Sequence, residues 1–405
     1  MICKICKGND LQKFLSLGDQ PHCNRFLREE DLASEEPVYP LDLYFCQDCA
    51  LVQLGHVVPP EAMFRDYPYV SGTTATLPHH FQRLASEIVS RFKPPPGSLV
   101  VDIGSNDGTF LRGFEGLNMR ILGVDPAINI AKIANESGIE TIPEFFGRDI
   151  ASRIVGERGK AQLVTAAGVF YHVPDLDDFV EGVRRLLADD GVFVVQAIYL
   201  LDMLDKNSFD NIYHEHLCYY SLKPLTVLFQ RFGMEVFDVE RTDIHGGSIV
   251  VYVRKGVTSD PKPSVQALLA LEQERGLYSL ETCREFACGI AGVKEKLGTM
   301  LRQLRSQGKR IGAYGAPAKG NTMLNYCQIG ADVLEYAAEK NPLKQGLYTP
   351  GMHVPVIPEE RARENPPDYY LVLPWNFLDE FLWKERDFRE NGGKFIVPIP
   401  EPYII

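Results

Sequence analysis

Four cysteines near the N-terminus have the spacing of metal ligands. Cys3 and Cys6 form one CxxC pair, and Cys46 and Cys49 form a second. Each pair can aim two thiolates at one ion, and two pairs complete the tetrahedral four-sulfur shell of a structural Zn²⁺. Unpaired thiols and a redox dithiol are the alternatives, but a closed zinc shell would supply the folding free energy that so short a segment lacks. The remaining cysteines have no such spacing, and most are expected in the core (Cys23, Cys218, Cys283, Cys288 and Cys327).

A second pattern is an apolar strand that runs into a glycine-containing turn. Residues 99–108 read LVVDIGSNDG, and Gly104 allows a sharp turn where open α/β sheets bind their ligands. The turn lacks GxGxxG, and Asp107 would repel an incoming pyrophosphate, so a dinucleotide is disfavoured. S-adenosylmethionine carries a sulfonium and no phosphate, and it is favoured over both a dinucleotide and a turn without a ligand. The predicted cofactor residues are Asp102, Gly104, Ser105, Gly108, Asp125 at the end of the next strand, and Gln196 at the end of GVFVVQ.

Two clusters of aromatic and titratable residues follow later strands. The first, VFYHVPD, contains His172, and the second, NIYHEH, ends at His216. The second is not the HExxH motif of zinc proteases, because Cys218 stands where the second histidine would be. A lone histidine is more often structural than catalytic. Several such groups within four residues favour base catalysis, which needs a histidine of tuned pKa and a partner that orients it.

These motifs together resemble the sugar C-methyltransferases that act on nucleotide-linked keto-deoxysugars, of the tetronitrose C-3'-methyltransferase type. The resemblance rests on the paired CxxC, VDIGSNDGTFL, FYHVPD, YHEH, HGGS, GAPAKGN and KQGLYTPGMHVPV, and it extends over the whole chain. It implies an enolate generated beside a ketone, with His216 as the general base. It further implies sugar-holding or enolate-stabilising roles for Tyr213 and Glu215, a pocket floor of His172 and Tyr67, and a diphosphate contact at Ser71. The chain has Ala167–Gly168 where the family usually carries an amide, so substrate contacts there are expected to differ.

The segment RIGAYGAPAKGN, from Arg310, is another strand, glycine turn and helix start. Backbone N–H groups at such a turn, with one cation, can bind an anion. A Walker A loop is absent, and the glycines are spaced poorly for an NAD site with Glu339 as the ribose acid. A structural lobe with an incidental lysine is the other interpretation. The family resemblance implies that this lobe holds the nucleotide through Lys319, Gly320, Asn321 and Asn325.

The elements that must position these residues form three segments of an α/β protein. Apolar runs (SLVVDIG, RILGVD, AQLVTAA and GVFVVQAI) alternate with helical stretches, which predicts a parallel sheet covered on both faces. HGGSIVVYVRKG is expected as a last antiparallel strand, residues 263–307 as one or two amphipathic helices, and a shorter open sheet thereafter. We predict a zinc-binding module (1–78), a Rossmann-like class I methyltransferase domain that binds S-adenosylmethionine (79–258), and a helical connector with a smaller Rossmann-like α/β lobe (259–405).

The composition of the chain limits the classes of binding partner that can be expected. The formal net charge is -12, with 45% hydrophobic residues, so neither nucleic acid nor an anionic membrane is an expected partner. No signal peptide or long apolar run is evident, and a reducing cytoplasmic location is expected. The predicted function is S-adenosylmethionine-dependent C-methylation of a nucleotide-linked 4-keto-deoxysugar, with dTDP as the expected nucleotide and GDP or CDP as alternatives. Methylation of a sugar oxygen or nitrogen, or a non-catalytic binding protein of this fold, are the rival functions.

Overall fold

A computed structural model describes residues 1–73, 76–256 and 261–405 of the chain. In chain order, the strands of these residues are β1 (Leu11–Pro21), β2 (Val38–Cys46), β3 (Val52–Leu54), β4 (Leu99–Ile103), β5 (Arg120–Val124), β6 (Thr141–Ile142), β7 (Ala161–Ala167), β8 (Leu187–Ile198), β9 (Cys218–Tyr219), β10 (Met234–Thr242), β11 (Ser248–Lys255), β12 (Ile311–Tyr314), β13 (Ala337–Glu339), β14 (Val356–Pro358), β15 (Tyr369–Val372), β16 (Lys394–Val397) and β17 (Tyr403–Ile404). The α-helices are α1 (Pro60–Phe64), α2 (Thr76–Phe92), α3 (Thr109–Arg112), α4 (Ile128–Glu136), α5 (Arg148–Arg158), α6 (Leu176–Leu186), α7 (Leu200–Asp205), α8 (Leu222–Arg231), α9 (Pro263–Glu274), α10 (Leu280–Ser306), α11 (Ala318–Cys327), α12 (Glu359–Glu364), α13 (Leu378–Lys384) and α14 (Arg386–Glu390).

The central sheet has seven strands in the order β10-β11-β8-β7-β4-β5-β6. Strands β6, β5, β4, β7 and β8 are parallel, and β11 pairs antiparallel with β8. Successive residues of β4 face opposite sides, and Val100 and Val101 belong to different buried apolar clusters. Phe81 of α2 packs in one cluster and Phe179 of α6 in the other. This confirms the predicted α/β sheet, its coverage on both faces and its antiparallel last strand.

Helix α6 illustrates how the local sequence builds this layer. Asp175 precedes the helix, and its side chain accepts hydrogen bonds from the backbone N–H groups of Asp177 and Asp178. Such a cap satisfies donors that the first turn leaves free. The apolar residues Phe179 and Val183 recur at helical spacing and are buried against the sheet. The cap and the apolar stripe together fix where the helix begins and which face it buries.

The other two sheets flank the central one. The N-terminal sheet has the order β1-β2-β3-β9, so a strand from the central segment completes it. The C-terminal sheet has the order β14-β13-β12-β15-β16-β17 and is parallel except for β17. Helices α9 and α10 connect the central and C-terminal sheets, as the periodicity of residues 263–307 predicts.

The three segments share one apolar core. The largest buried cluster includes Leu43 of β2, Val164 of β7 and Leu371 of β15.

The predicted domain boundary at 78/79 falls inside α2, and the one at 258/259 lies outside the described residues. Within the described ranges, no helix combines the length and the apolar character needed to cross a membrane.

Candidate active site

The four predicted zinc ligands lie together. Their sulfur atoms are all within 4.8 Å of one another, with Cys3 Sγ 3.5 Å from Cys49 Sγ and Cys6 Sγ 3.5 Å from Cys46 Sγ. The two knuckles have the same shape, because Lys7 and Ala50, each four residues after the first cysteine of its pair, adopt positive φ angles of 64° and 63°. Four thiolates at this separation fit a tetrahedral Zn²⁺ with no position left for water. The ion is therefore structural.

A cavity of about 770 Å³ lies between the three segments. Its wall includes Tyr67 from the N-terminal segment, Gly104 from the turn after β4, and the C-terminal lobe. Among the described residues that line it, the lysines all come from that lobe (Lys319, Lys340, Lys344 and Lys384). The end formed by β4 and β5 presents Asp102 and Asp125 instead. The positive charges that a phosphate would require are therefore confined to the C-terminal wall.

The turn after β4 forms the acidic end of the cavity. Gly104 has φ 70°, and a Cβ atom there would come within 2.7 Å of the Val169 side chain, so only glycine fits. Ser105 also lines the cavity. Gly108 has φ 80° and does not line the cavity; a Cβ there would come within 2.8 Å of Ile139. Gly108 thus lies at the N-terminus of α3, where it packs against Ile139.

Two buried carboxyl groups flank this turn. Burial raises the pKa of Asp102 to about 7, partly opposed by the hydroxyl of Thr165, which donates to Asp102 Oδ1 at 2.5 Å. Burial likewise raises the pKa of Asp125 to about 6, although the backbone N–H groups of Asn106 and Ala127 donate to its two oxygens at 2.8 and 2.9 Å. A glycine turn with acids and no cation fits S-adenosylmethionine, whose charge is positive and which bears no phosphate.

The structure places the other predicted cofactor residue, Gln196, behind the cavity. Its side chain is buried and does not line the cavity. The Oε1 atom of Gln196 lies 2.6 Å from Nε2 of His80 on α2, and the Gln196 amide nitrogen is buried without a hydrogen-bond partner. Gln196 is therefore placed to support the wall, and direct contact with the cofactor stays a prediction.

His216 lies in the cavity wall with a defined tautomer. Its Nδ1 atom is 2.8 Å from the backbone oxygen of Asn211, which can only accept, so Nδ1 carries the proton and Nε2 the lone pair. Burial is the main cause that holds the pKa of His216 well below its usual value, and the charge of the neighbouring His172 is the second. The ring of Tyr213 lies 3.9 Å from the His216 ring, and that of His172 stacks on it at 5.2 Å. The site therefore contains a neutral imidazole that can accept a proton.

Glu215 lies behind the cavity wall, and it positions Tyr67. The carboxylate is fully buried and accepts hydrogen bonds from Tyr67 Oη at 2.7 Å, Asn24 Nδ2 at 2.6 Å and His22 Nε2 at 3.0 Å, and a longer one from Cys23 Sγ at 3.9 Å. Burial would raise the pKa of Glu215, but the hydrogen bonds and charges of its neighbours, His22 first and then His172 and Tyr67, together outweigh burial and lower the pKa to about 2. Glu215 is thus an ionised carboxylate that does not line the cavity, whereas Tyr67 does. A direct sugar contact by Glu215, as the resemblance implied, does not match this placement.

The positions of His172 and Ser71 complete the central part of the cavity. Both residues line it. His172 stacks on Phe64 at 5.3 Å, burial lowers its pKa to about 4, and its Nε2 atom is buried without a partner. The backbone N–H of Ser71 donates to Asn106 Oδ1 at 2.9 Å, which places Ser71 beside the glycine turn. The predicted diphosphate contact of Ser71 remains untested by this placement.

Of the four nucleotide residues predicted in the C-terminal lobe, Lys319 alone lines the cavity. Its ammonium lies 3.7 Å from Asp210 Oδ2, donates to Asn376 and sits 4.8 Å from the centre of the Trp375 ring. The other three do not line the cavity; they pack within the lobe or, for Asn321, connect it to the N-terminal module. A Cβ at Gly320 would come within 2.8 Å of Leu373; Asn321 donates to the backbone oxygen of Cys23, and Asn325 donates to those of Asn321 and Pro350.

Sequence reasoning missed His22 and Asn24, which the N-terminal module contributes to this centre in addition to the predicted Tyr67. His22 and Asn24 precede Glu215 by 193 and 191 residues, and no motif connects them. It also gave no role to Lys344, a buried lysine in the turn after β13 that lines the cavity, although this residue begins the motif KQGLYTPGMHVPV. The contacts of His22 and Asn24 with Glu215 become visible only when the segments are folded together.

Comparisons with known proteins agree with this architecture. Family models match three consecutive stretches: a zinc binding domain over residues 3–64, a methyltransferase domain over 77–239, and a C-methyltransferase C-terminal domain over 243–400. The chain is 39% identical over 404 residues to the C-methyltransferase NovU of Streptomyces niveus, and the match covers 100% of this chain and 96% of NovU.

Matches to solved structures are more distant. Magnesium protoporphyrin IX methyltransferase from Synechocystis PCC 6803, with bound S-adenosylmethionine, is 14% identical, covering 46% of this chain and 88% of its own, with a TM-score of 0.33. The CcbJ methyltransferase from Streptomyces caelestis is 13% identical, covering 44% of this chain and 90% of its own, with a TM-score of 0.34.

Proposed function

Because the chain belongs to the C-methyltransferase family that includes NovU, we propose that it methylates a carbon atom of a nucleotide-linked 4-keto-deoxysugar. S-adenosylmethionine supplies an electrophilic methyl group when bound, and Asp102, Gly104 and Asp125 are the residues that would hold it. The observation that carries the proposal is His216, a neutral imidazole with its lone pair on Nε2, in the wall of the same cavity as the glycine turn. We expect the reaction to belong to deoxysugar biosynthesis in the cytoplasm, where reducing conditions keep the four thiolates available to zinc.

A basic group is needed because carbon is a poor nucleophile. A proton next to the ketone must leave before that carbon can attack a methyl group, and a positioned base lowers the barrier to its removal. His216 is suited to this step, since its lowered pKa keeps it unprotonated at neutral pH. The backbone oxygen of Asn211 holds the Nδ1 proton and so fixes the orientation of the ring.

The two tyrosines of the cavity take different roles in the proposal. Burial, and then the charge of Glu215, keep the pKa of Tyr213 well above its usual value, so its phenol stays protonated and can donate to a developing enolate oxygen. Tyr67 already donates its proton to Glu215, so it offers a lone pair and can accept from a sugar hydroxyl. His172 would complete the floor of the sugar pocket.

The test is hydrogen exchange at carbon, measured without S-adenosylmethionine. The protein is incubated in D₂O with dTDP-, GDP- and CDP-linked 4-keto-deoxysugars, and exchange is followed by NMR and mass spectrometry. We expect exchange next to the ketone with the native protein, its loss in His216→Asn, and its retention in His79→Asn, a change at an exposed histidine of α2. On addition of S-adenosylmethionine the product should carry a new carbon-bound methyl group.

Methylation at a sugar oxygen or nitrogen without prior exchange would support the rival reaction. Binding without exchange or methylation of any ketosugar would support a non-catalytic binding protein. Either result would overturn the proposal.

A further inference from the structure

Lys344 carries a buried positive charge that the described residues leave without a matching carboxylate. The side chain is 6% exposed and lies in the turn after β13. Its ammonium donates one hydrogen bond, to the backbone oxygen of Ala316 at 2.9 Å, and lies 5.0 Å from the centre of the Phe26 ring. No ion pair to Lys344 occurs among the described residues within 4.0 Å. Burying an ammonium without a counter-charge is costly, and an aromatic face offsets only part of that cost.

Neither of the two acids whose charges act on Lys344 forms an ion pair with it within 4.0 Å. Glu339 and Glu215 are the carboxylates whose charges act on Lys344. Both oxygens of Glu339 already accept from the backbone N–H groups of Ala316 and Asn341. Glu215 accepts from His22, Asn24 and Tyr67, as described above. Among the described residues, Lys344 is thus left with donor capacity at the cavity wall beyond its one hydrogen bond to Ala316.

Lys319 provides the contrast on the same wall. Asp210 lies 3.7 Å from its ammonium, Asn376 accepts a hydrogen bond from it, and Trp375 covers it. Its charge is matched before any ligand arrives. An anionic ligand would therefore gain more from Lys344 than from Lys319.

We infer that Lys344 binds the diphosphate of the nucleotide-linked substrate, next to the sugar held near Tyr67. This assignment rests on the proposed function for the class of ligand. The turn that carries Lys344 lies next to Tyr67, as a diphosphate attached to the sugar requires. Asn341, in the same turn as Lys344, donates to the backbone oxygen of Pro68 at 2.9 Å, one residue beyond Tyr67. Phe26 of the N-terminal module lies against Lys344, so the N-terminal module and the C-terminal lobe both contribute to this site.

Calorimetry with simple anions tests the assignment without methyl transfer. The probes are inorganic diphosphate, dTDP, GDP and CDP, with thymidine as the ligand without phosphate. In Lys344→Met we expect the affinity for inorganic diphosphate and the preferred nucleotide to fall by between about tenfold and a hundredfold, the effect of losing charge-assisted hydrogen bonds. Thymidine binding should not change. Lys344→Arg should keep most of the affinity, and Lys132→Met, at an exposed lysine of α4, should match the native protein.

A thermal melt of the unliganded protein separates binding from a structural role. Removing an uncompensated charge should leave the Tm of Lys344→Met equal to or above that of the native protein. Unchanged diphosphate affinity in Lys344→Met, an equal loss of thymidine affinity, a lowered Tm with loss of all ligands, or no binding of any diphosphate to the native protein would each overturn the assignment. If Lys344-dependent binding occurs but no ketosugar is exchanged or methylated, the proposed reaction fails and the anion site stands.

Discussion

The buried carboxylate of Glu215 allows a quantitative prediction for Glu215→Gln. Its pKa falls from an ordinary 4.5 to about 2, so the folded protein favours the charged form relative to the unfolded chain. Each pKa unit corresponds to 1.36 kcal/mol, so a neutral group at this position should cost about 3 kcal/mol of folding stability at pH 7. A depressed pKa stabilises the protein above the unfolded value of 4.5, and this contribution is lost as the pH falls toward about 2. At pH 7 this contribution is present, except for the share that comes from a charged His172, whose own pKa is lowered to about 4.

The assay is thermal unfolding at pH 7 of zinc-loaded protein, with hydrogen exchange at the ketosugar measured alongside. Glu215→Gln should lower the Tm by several degrees and slow exchange, because an amide cannot accept from His22, Asn24 and Tyr67 together. Glu87→Gln, at an exposed position of α2, serves as the matched control. The double variant His22→Gln with Glu215→Gln should be no less stable than Glu215→Gln alone, since the two residues form one network.

A Glu215→Gln protein with the native Tm would refute this reasoning, because it would mean that the carboxylate is not stabilised in its charged form. Additive losses in the double variant would also refute it, since His22 would then act independently of Glu215.

Three further predictions concern the cofactor, the base and the metal. Gly104→Ala should abolish S-adenosylmethionine binding in calorimetry, because the new Cβ would meet Val169. The control Gly116→Ala has a similar φ of 77° and no atom within 4 Å of the new Cβ, so it should bind normally. Equal losses in both variants would show that backbone strain, and not the close approach of Val169, is responsible. The exchange rate should stay level as the pH falls from about 8 to below 6.5, since the pKa of His216 is lowered and its neutral form persists; a rate halved near 6.5 would show an ordinary histidine. Removing zinc with a chelator, or replacing Cys46 by serine, should release one Zn²⁺ per chain by metal analysis and weaken diphosphate binding; unchanged binding by the zinc-free protein would show that the module does not support the site.

The sequence predicts those parts of the site that are encoded locally. Four cysteines in two CxxC pairs, a strand ending at Asp102 before Gly104, and a strand ending at Asp125 are each readable because strand, turn and ligand are neighbours in the chain. The parallel sheet follows from alternating apolar runs for the same reason. The sequence also predicts the short open sheet of the C-terminal lobe, but it does not reveal that Asn321 and Asn325 lie outside the cavity lining.

The sequence does not reveal which residues from distant segments bind the same side chain. Glu215 looks like a substrate group because it lies in the YHEH motif. Its oxygens are instead occupied by His22 and Asn24 from the N-terminal module and by Tyr67. In this irregular segment Tyr213 and His216 line the cavity, whereas Glu215 does not. Periodicity cannot assign these directions outside regular helices and strands.

The same contacts explain why a structural metal belongs in this protein. The zinc knuckles fix the start of β1 and the end of β2, and the chain leaving β1 carries His22, Asn24 and Phe26. Two of these hold the carboxylate that orients Tyr67, and the third covers Lys344. A short segment without a large core of its own could not hold them with the accuracy that a buried, hydrogen-bonded carboxylate requires. We therefore expect zinc to support the site by positioning residues that do not touch the ion.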